Sequence, residues 1–261
     1  QGAEGAGMSR RARLALFAVA AAALAVTLGA GLAGLPSFGS QLTSYARMLN
    51  DLAPRQRHVT DVVSAVTFDY RGVDTLFEEF ILLAAVAGIS VLLRPLSDEV
   101  RELPEDKAPD RAIPPPSPAV WLLAVLLSSL LVLIGLETVT HGVVTPGGGF
   151  QAGVILASAL YVVYLGTNYA TVERFQPAPL LEASDGVGAL GYVVIGLLGL
   201  LAGEVFLSNV VGLGGTGNMI AGGTIALLNL TVGLEVAGGF SILASEFLDQ
   251  TAVIRTRPGR R

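Results

Sequence analysis

Six long apolar segments without a single lysine or arginine are the feature that most constrains how this chain can fold. A helix needs about 20 consecutive apolar residues to cross a bilayer. Only 14% of the residues are charged, against about 25% in a typical soluble domain. The sequence therefore predicts an all-α, polytopic membrane protein and excludes an ordinary soluble enzyme. The predicted membrane segments are residues 14–35, 74–93, 120–140, 150–169, 186–207 and 219–247.

The distribution of basic residues predicts the orientation of these segments. Twelve of the 16 Lys and Arg residues lie on the side of the membrane that holds both termini, and the other four all lie in the first loop on the opposite side. The positive-inside rule then places both termini in the cytoplasm. Segment 14–35 follows three arginines and so resembles a signal peptide, but its length favours a retained membrane helix.

A proline-rich acidic stretch divides the chain into two membrane blocks. Its composition is typical of a stiff, solvated linker. Between the first two membrane segments, the spacing of Val59, Val62, Val63 and Val66 predicts a short amphipathic helix. The predicted organisation is a two-helix block at 8–94, a linker at 95–117, a four-helix block at 118–250 and a basic tail at 251–261.

Small residues recur at helical spacing in the second block, as in the pair Gly149 and Gly153. Such spacing lets helix backbones approach closely where lipid gives no hydrophobic drive. The pattern is compatible with packing inside the chain and with packing against other subunits. Six helices leave much of this small-residue surface uncovered, which favours a component of a larger complex.

Acidic side chains inside apolar segments each need a reason, because a charge at membrane depth costs at least about 2.5–3.5 kcal/mol. Glu235 lies deep in the sixth segment and is the strongest candidate for a buried functional carboxylate, with a structural hydrogen bond as the rival interpretation. Glu137 and His141 share one helix face and are candidates for proton exchange or for a plain interfacial pair. Glu78 and Glu79 start the second segment, where Asp74 and Thr75 are candidates to cap the helix.

The residue types exclude several classes of site. There is no cysteine and there are only two histidines, so a metal site is not expected. The segment from Pro146 to Gly149 lacks the Gly-Lys-Ser/Thr ending of a phosphate loop and follows a membrane helix instead of a strand. We therefore expect no cofactor, no nucleotide site and no nucleic-acid partner.

The loop from His141 to Gly153, HGVVTPGGGFQAG, resembles the signature of the MnhB-type component of the Mrp (Mnh) family of multisubunit cation/proton antiporters. The family pattern reads roughly G-H-x-x-P-G-G-G-F-x-G-G. This chain departs from it by Thr140 in place of a glycine, by one extra residue after the histidine and by Ala152. The residues that carry the helix-start motif are Pro146, Gly147, Gly148, Gly149 and Phe150.

The stretch 66–79 is similar to a second piece of the same machinery. It resembles the MbhE-like segment, V-x-x-D-x-R-x-x-D-T-x-x-E, found at the C-terminal end of the large MrpA component and in membrane-bound hydrogenases. Phe77 replaces a common glycine. The positions that match are Asp69, Arg71, Asp74, Thr75 and Glu78.

These resemblances imply an accessory membrane component of a monovalent cation (Na⁺)/proton antiporter in the bacterial cell membrane. They imply no enzyme activity, and they imply hydrophobic partner chains of the A, C, D, E, F and G types besides the lipid bilayer. They single out Glu78 for cation or proton handling, and the ion-path candidates are Glu78, Glu235, Glu137, His141, Asp74 and Thr75. The alternative is a membrane-arm component of an ion-pumping hydrogenase or a complex-I-like redox complex. A purely structural membrane component is the third possibility.

Overall fold

The computed structural model describes residues 10–35, 37, 43–93, 116–168, 171–172, 174 and 178–250. Helices and the turns that join them make up this part of the chain, without a strand. Six helices are long and apolar enough to span a membrane, which confirms the predicted all-α, multi-pass architecture. Two compact units divide the chain, residues 1–47 and 48–261.

The first unit contains helix α1, Arg10–Ala33, which buries no residue of its own. In the second unit, membrane helices follow one another with short elements between them. Helix α2, Ser44–Arg57, runs across the division between the units. The remaining elements are α3 (Val62–Ala65), a π-helical turn (Val66–Tyr70), α4 (Gly72–Leu92), α5 (Pro118–Thr140), α6 (Gly149–Gly166), α7 (Ala178–Leu201) and α8 (Thr224–Gln250).

Helix α8 is the centre of the second unit. It packs against α4, α5, α6 and α7, and α5 also packs against α6. In the apolar window of α8, 56% of the residues are buried, against 11–33% in the other membrane helices of this unit. Most of α8 therefore meets protein, apart from a stripe of exposed leucines at Leu227, Leu230 and Leu234, whereas α4 and α5 keep most of their surface open to lipid or to partner chains.

Helix α4 of the predicted first block packs on α7 and α8 of the predicted second block. The division of the sequence into blocks at 8–94 and 118–250 stays a prediction. Most of the predicted linker and all of the basic tail at 251–261 lie outside the described residues.

The predicted amphipathic helix around Val59 is wrong in its extent. The Asp61 side chain accepts hydrogen bonds from the backbone amides of Val63 and Ser64, so it caps α3 and the helix starts only after it. Val59 lies before that cap and is fully buried, whereas Val63 is exposed. The valines therefore do not share one helical face.

Helix α7 corresponds to the predicted segment 186–207. It ends six residues before that segment ends and starts eight residues before that segment starts. Gly203 has a φ of +82°, and the amides of Gly203 and Glu204 bond back to the carbonyls of Leu200 and Gly199. This pattern is a Schellman motif, which ends a helix at a glycine. The earlier start matters for function, because it places Asp185 inside the helix.

Candidate functional site

The glycine-rich loop before α6 is built around the amide side chain of Asn229 on α8. Gly148 has a φ of +129°, a backbone conformation that side-chain-bearing residues rarely adopt. The Asn229 Oδ1 atom accepts a hydrogen bond from the Gly149 amide at 3.0 Å, and its Nδ2 atom donates to the Ile225 carbonyl at 3.2 Å. Asn229 therefore satisfies one of the free amides at the start of α6 from a neighbouring helix.

Glycines let α6 lie directly on α8. A Cβ atom at Gly149 would overlap the Asn229 carbonyl oxygen, and one at Gly153 would come within 2.5 Å of the Val236 Cβ. Both separations are shorter than real Cβ contacts. The small-residue pair of the sequence is thus used for packing inside the chain, at an interface that has no room for a side chain.

The loop after α5 is held by α3 and by the segment that precedes it. Thr60 donates from its hydroxyl to the Val144 carbonyl at 2.6 Å, and the Ser64 hydroxyl donates to the Gly142 carbonyl. The His58 ring lies 2.6 Å from the Gly214 carbonyl oxygen in the loop between α7 and α8. Three separate connecting segments therefore meet at one end of the helices, as the alternating membrane topology requires.

A cavity of about 280 Å³ lies between α4 and the start of α6. It brings together the MbhE-like stretch and the helix-start motif, since Glu78 and Glu79 lie on one wall and Gly147–Phe150 on the other. Thr75 and Ser64 also line it. Glu78 is on the exposed face of α4, whereas Glu79 is 2% exposed and turns towards the interior.

Three acidic side chains from three helices are buried beside this cavity. Glu79 on α4 is 2% exposed, Asp185 on α7 is 5% exposed and Glu235 on α8 is completely buried. The Glu79 and Glu235 carboxyl groups lie close enough to interact directly, with no donor from elsewhere in the described residues on the buried oxygens, and Asp185 lies within electrostatic reach of both. We call these three residues the acid cluster.

Close helix contacts bring the members of the acid cluster together. A Cβ atom at Gly188 would lie 2.5 Å from the Glu235 amide nitrogen, so α7 and α8 touch through their backbones at this level. On the other side of the contact, a Cβ atom at Gly239 would lie 3.0 Å from Asp185 Oδ1. The acid cluster therefore occupies a tightly packed region in which the carboxyl groups have little freedom to turn away from one another.

The other predicted residues lie at the ends of their helices. The Glu137 carboxylate is 3.2 Å from His141 Nδ1, so the predicted pair on one helix face is present, with the Glu137 side chain 58% exposed. Asp74 pairs with Arg71 at the exposed start of α4. The Thr75 hydroxyl donates to the Thr67 carbonyl at 2.7 Å. The predicted capping role of Asp74 and Thr75 is wrong, because the π-helical turn continues into α4 and leaves Arg71 at the cap position.

Pro146 and Phe150 of the helix-start motif are exposed, and the Phe150 ring packs edge-on against Phe240 at a centroid distance of 6.2 Å. Glu235 lies where the sequence predicts a buried carboxylate. Its functional role and that of Glu78 stay predictions.

Sequence reasoning misses Asp185, names Glu79 without assigning it to the ion path, and gives Asn229 no role. Glu79 is adjacent to the favoured Glu78 but points about 100° away around the helix. Asp185 falls outside the predicted segment, which begins one residue after it. One feature of the sequence could have identified Glu79 and Asp185. Each acid has small or apolar residues within one helical turn, and its helix contains no lysine or arginine that could pair with it.

A larger cavity of about 820 Å³ lies at the ends of α4 and α7 and is lined by ion-paired side chains. Arg57 pairs with Asp69 at 2.5 Å and lies 5.9 Å from the centre of the Tyr70 ring. Burial raises the pKa of the Tyr70 phenol, against the opposing effect of Arg57. Since Arg57 and Asp69 are already paired with each other, these two side chains are less suited than the acid cluster to take up a proton.

Known proteins resemble this chain in sequence along most of its length. Residues 120–242 match a family model described as a domain related to the MnhB subunit of Na⁺/H⁺ antiporter. The uncharacterized protein MJ1307 of Methanocaldococcus jannaschii is 34% identical over 202 residues, which are 71% of this chain and 76% of that protein. The probable K(+)/H(+) antiporter A/B subunit of Rhizobium meliloti is 32% identical over 160 residues, covering 52% of this chain and 15% of that protein.

Two solved structures share the fold. A chain of the membrane-bound sulfane sulfur reductase, an archaeal respiratory membrane complex, matches with a TM-score of 0.68 and 26% identity over 90% of this chain and 98% of its own length. A chain of the Mrp complex from Dietzia sp. DQ12-45-1b matches with a TM-score of 0.69 and 25% identity over 98% of this chain and 27% of its own. Sequence and fold agree, and the chain belongs to the Mrp/MnhB-type family of membrane subunits.

Proposed function

We propose that this chain is an accessory component of a multisubunit Na⁺/proton antiporter, with no enzymatic activity of its own. The observation that carries the proposal is the cavity between α4 and α6. Two stretches of sequence that lie about 70 residues apart, each similar to a different piece of the Mrp machinery, line the same space. A shared cavity gives both stretches one function, namely to border the route of the transported cation.

Glu78 is the residue we assign to cation handling. It lies on the exposed side of the cavity, where a carboxylate can face a partner chain and exchange its ligands with water. Thr75 adds a hydroxyl oxygen to the wall, and oxygen atoms are the ligands that hard cations prefer. Asp74 lies one turn before Glu78, and Glu137 and His141 would extend the route at the end of α5.

The partners we propose are the other hydrophobic subunits of such a complex. Apolar side chains of α5 are exposed along its length, including Trp121, Leu126 and Leu133. Some of this surface faces lipid, and part of it is available to neighbouring subunits. We place the chain in the bacterial cell membrane, and the distribution of basic residues supports both termini in the cytoplasm.

Na⁺-dependent dissipation of a pH gradient in inverted membrane vesicles tests the proposal. The chain is produced with its complete set of partner subunits in cells that lack other Na⁺/proton antiporters. We expect Glu78→Gln to abolish or strongly reduce exchange while the complex still assembles. Glu182→Gln is the matched control, because Glu182 is an exposed acid on another membrane helix. Normal exchange in Glu78→Gln complexes would overturn the role of Glu78, and a complete complex without exchange would overturn the transport function.

A redox complex is the second candidate, because the reductase chain matches over 98% of its length. In that case the same fold would serve the membrane arm of a respiratory complex. Purification in mild detergent distinguishes the two functions. Iron–sulfur absorption in the co-purified assembly would identify a redox complex, whereas an assembly made only of hydrophobic, colourless subunits is expected for an antiporter.

A further inference from the structure

The acid cluster contains more buried carboxyl oxygens than its surroundings satisfy. Within the described part of the chain, Glu79 Oε2, Asp185 Oδ1 and both carboxyl oxygens of Glu235 have no hydrogen-bond partner. Buried polar atoms are normally paired. Unpaired buried oxygens on three neighbouring helices, two of them in directly interacting carboxyl groups, indicate a bound species.

The bound species must carry positive charge. The sequences of α4, α5, α6, α7 and α8 contain no lysine or arginine that could neutralise the cluster. A single ionised acid at membrane depth already costs at least about 2.5–3.5 kcal/mol, and a second charge beside it adds repulsion. Buried acids in such surroundings take up protons and become neutral.

Protons fit the geometry of the acid cluster. Among the described residues, no three acidic or histidine side chains are arranged to hold a metal. Instead, the carboxyl groups of Glu79 and Glu235 face each other. Two carboxyl groups in direct contact are stable when they share a proton, because one then donates to the other.

The titratable groups near the acid cluster are mostly exposed or already paired. Glu78 on α4 lies on the cavity side, and Tyr192 on α7 donates its hydroxyl to the Gly72 carbonyl at 2.8 Å. Helix α6 contributes no charged residue, Glu137 at the end of α5 is paired with His141, and Asp69 in the π-helical turn is paired with Arg57. On α7 the remaining acid is Glu182, which is exposed. On α8 the remaining acids are Glu246, which is half-buried, and Asp249, and both lie in the last turns of the helix.

We propose that Glu79, Asp185 and Glu235 form a buried proton-binding site, separate from the cation-handling surface at Glu78. Glu79 belongs to both the cluster and the cavity wall, so it passes protons between the cavity and the interior. In each transfer the O–H bond of one carboxylic acid breaks and an O–H bond forms on the neighbouring carboxylate. The proton moves to the acceptor, and the negative charge moves to the donor. Proton binding itself stands on the structure, whereas its use in cation exchange rests on the proposed function.

Infrared difference spectroscopy of the purified complex tests the proposal without measuring transport. A protonated carboxyl group gives a carbonyl band that is distinct from carboxylate bands and shifts in D₂O. At neutral pH we expect Glu235→Gln and Glu79→Gln to remove part of this band, while Glu182→Gln leaves it unchanged. If Glu235→Gln fails to assemble, Asp185→Asn provides the same comparison, and its expected signature is an altered band position or pH dependence.

Three results would overturn the proposal. One is a full, unshifted carbonyl band in all cluster variants. Another is the absence of any such band at neutral pH in the native complex. The third is loss of the band on addition of NaCl but not of choline chloride, which would show a Na⁺ site in place of a proton site. A complex that keeps the band but exchanges no Na⁺ would overturn the transport function and leave the proton site standing.

Discussion

The two sides of helix α8 differ in whether their buried polar groups have hydrogen-bond partners. On the side that faces α6, Asn229 is completely buried, and both atoms of its amide group make a hydrogen bond. On the side that faces α4 and α7, Glu235 is just as deeply buried, and neither of its carboxyl oxygens has a partner. Glycines allow close backbone contact on both sides.

The difference separates a structural polar group from a reactive one. A neutral amide with fixed partners stabilises the helix contact and has nothing to exchange. A carboxyl group without partners, close to two more acids, costs stability unless it binds a proton. We infer that the α6 side of α8 maintains the fold, whereas the α4 and α7 side carries out proton chemistry.

The largest effect is expected from filling the contact between α6 and α8. In Gly149→Ala, the new methyl group would overlap the Asn229 carbonyl oxygen and the Gly233 amide nitrogen, which belong to a rigid helix backbone. We expect a loss of at least about 1–3 kcal/mol and little assembled protein in the membrane. Thermal unfolding followed by fluorescence-detected size exclusion measures the loss.

Gly186→Ala is the matched control for that substitution. Gly186 also lies in a membrane helix, but a Cβ atom there meets nothing within 4 Å. A helix gains stability when alanine replaces a glycine in its interior. We therefore expect the control to be as stable as the native chain or slightly more so. Equal destabilisation by both variants would contradict the close contact of α6 with α8.

A medium effect is expected from removing the Asn229 amide. Asn229→Ala leaves the Gly149 amide without a partner in a buried position, which costs about 1–3 kcal/mol. Asn229→Asp keeps the acceptor oxygen for the Gly149 amide but introduces an acid. This variant tests whether the hydrogen bond from Gly149 is the source of the stability. A melting temperature of Asn229→Ala equal to that of the native chain would show that α6 does not depend on this cap.

The smallest effect is expected from the pair formed by Glu137 and His141. The Glu137 side chain is 58% exposed and its partner lies one helical turn away, so the pair contributes at most about 0.5 kcal/mol. Glu137→Gln should leave the melting temperature almost unchanged. The same variant in the vesicle assay tests the proposed extension of the ion route. A clear loss of exchange would indicate that the route reaches the end of α5.

Much of the fold is predictable because lipid imposes a simple rule. Every membrane helix requires a long apolar run, and all six runs are visible in the sequence. The ends of the helices are less predictable, since a Schellman motif at Gly203 and a cap at Asp61 depend on local backbone bonds. A boundary error of two turns is enough to place Asp185 outside the membrane.

The candidate site is predictable only where one residue carries the signal. Glu235 stands out because it lies in the middle of an apolar run, whereas the choice between Glu78 and Glu79 depends on which neighbours α4 meets. Asn229 is visible as a polar residue in an apolar run, but its partner is on another helix 80 residues away in the sequence. Contacts between helices decide both points, and a single sequence does not contain them directly.

If the two sides of α8 have separate functions, Asn229→Ala and Glu235→Gln must differ in their effects. For both variants, the melting temperature of the purified complex is measured alongside the rate of Na⁺-dependent proton exchange per assembled complex. We predict that Asn229→Ala lowers the melting temperature but exchanges at nearly the native rate, and that Glu235→Gln keeps the native melting temperature or raises it but loses exchange. Parallel losses of stability and exchange in both variants, or full exchange in Glu235→Gln, would contradict the claim.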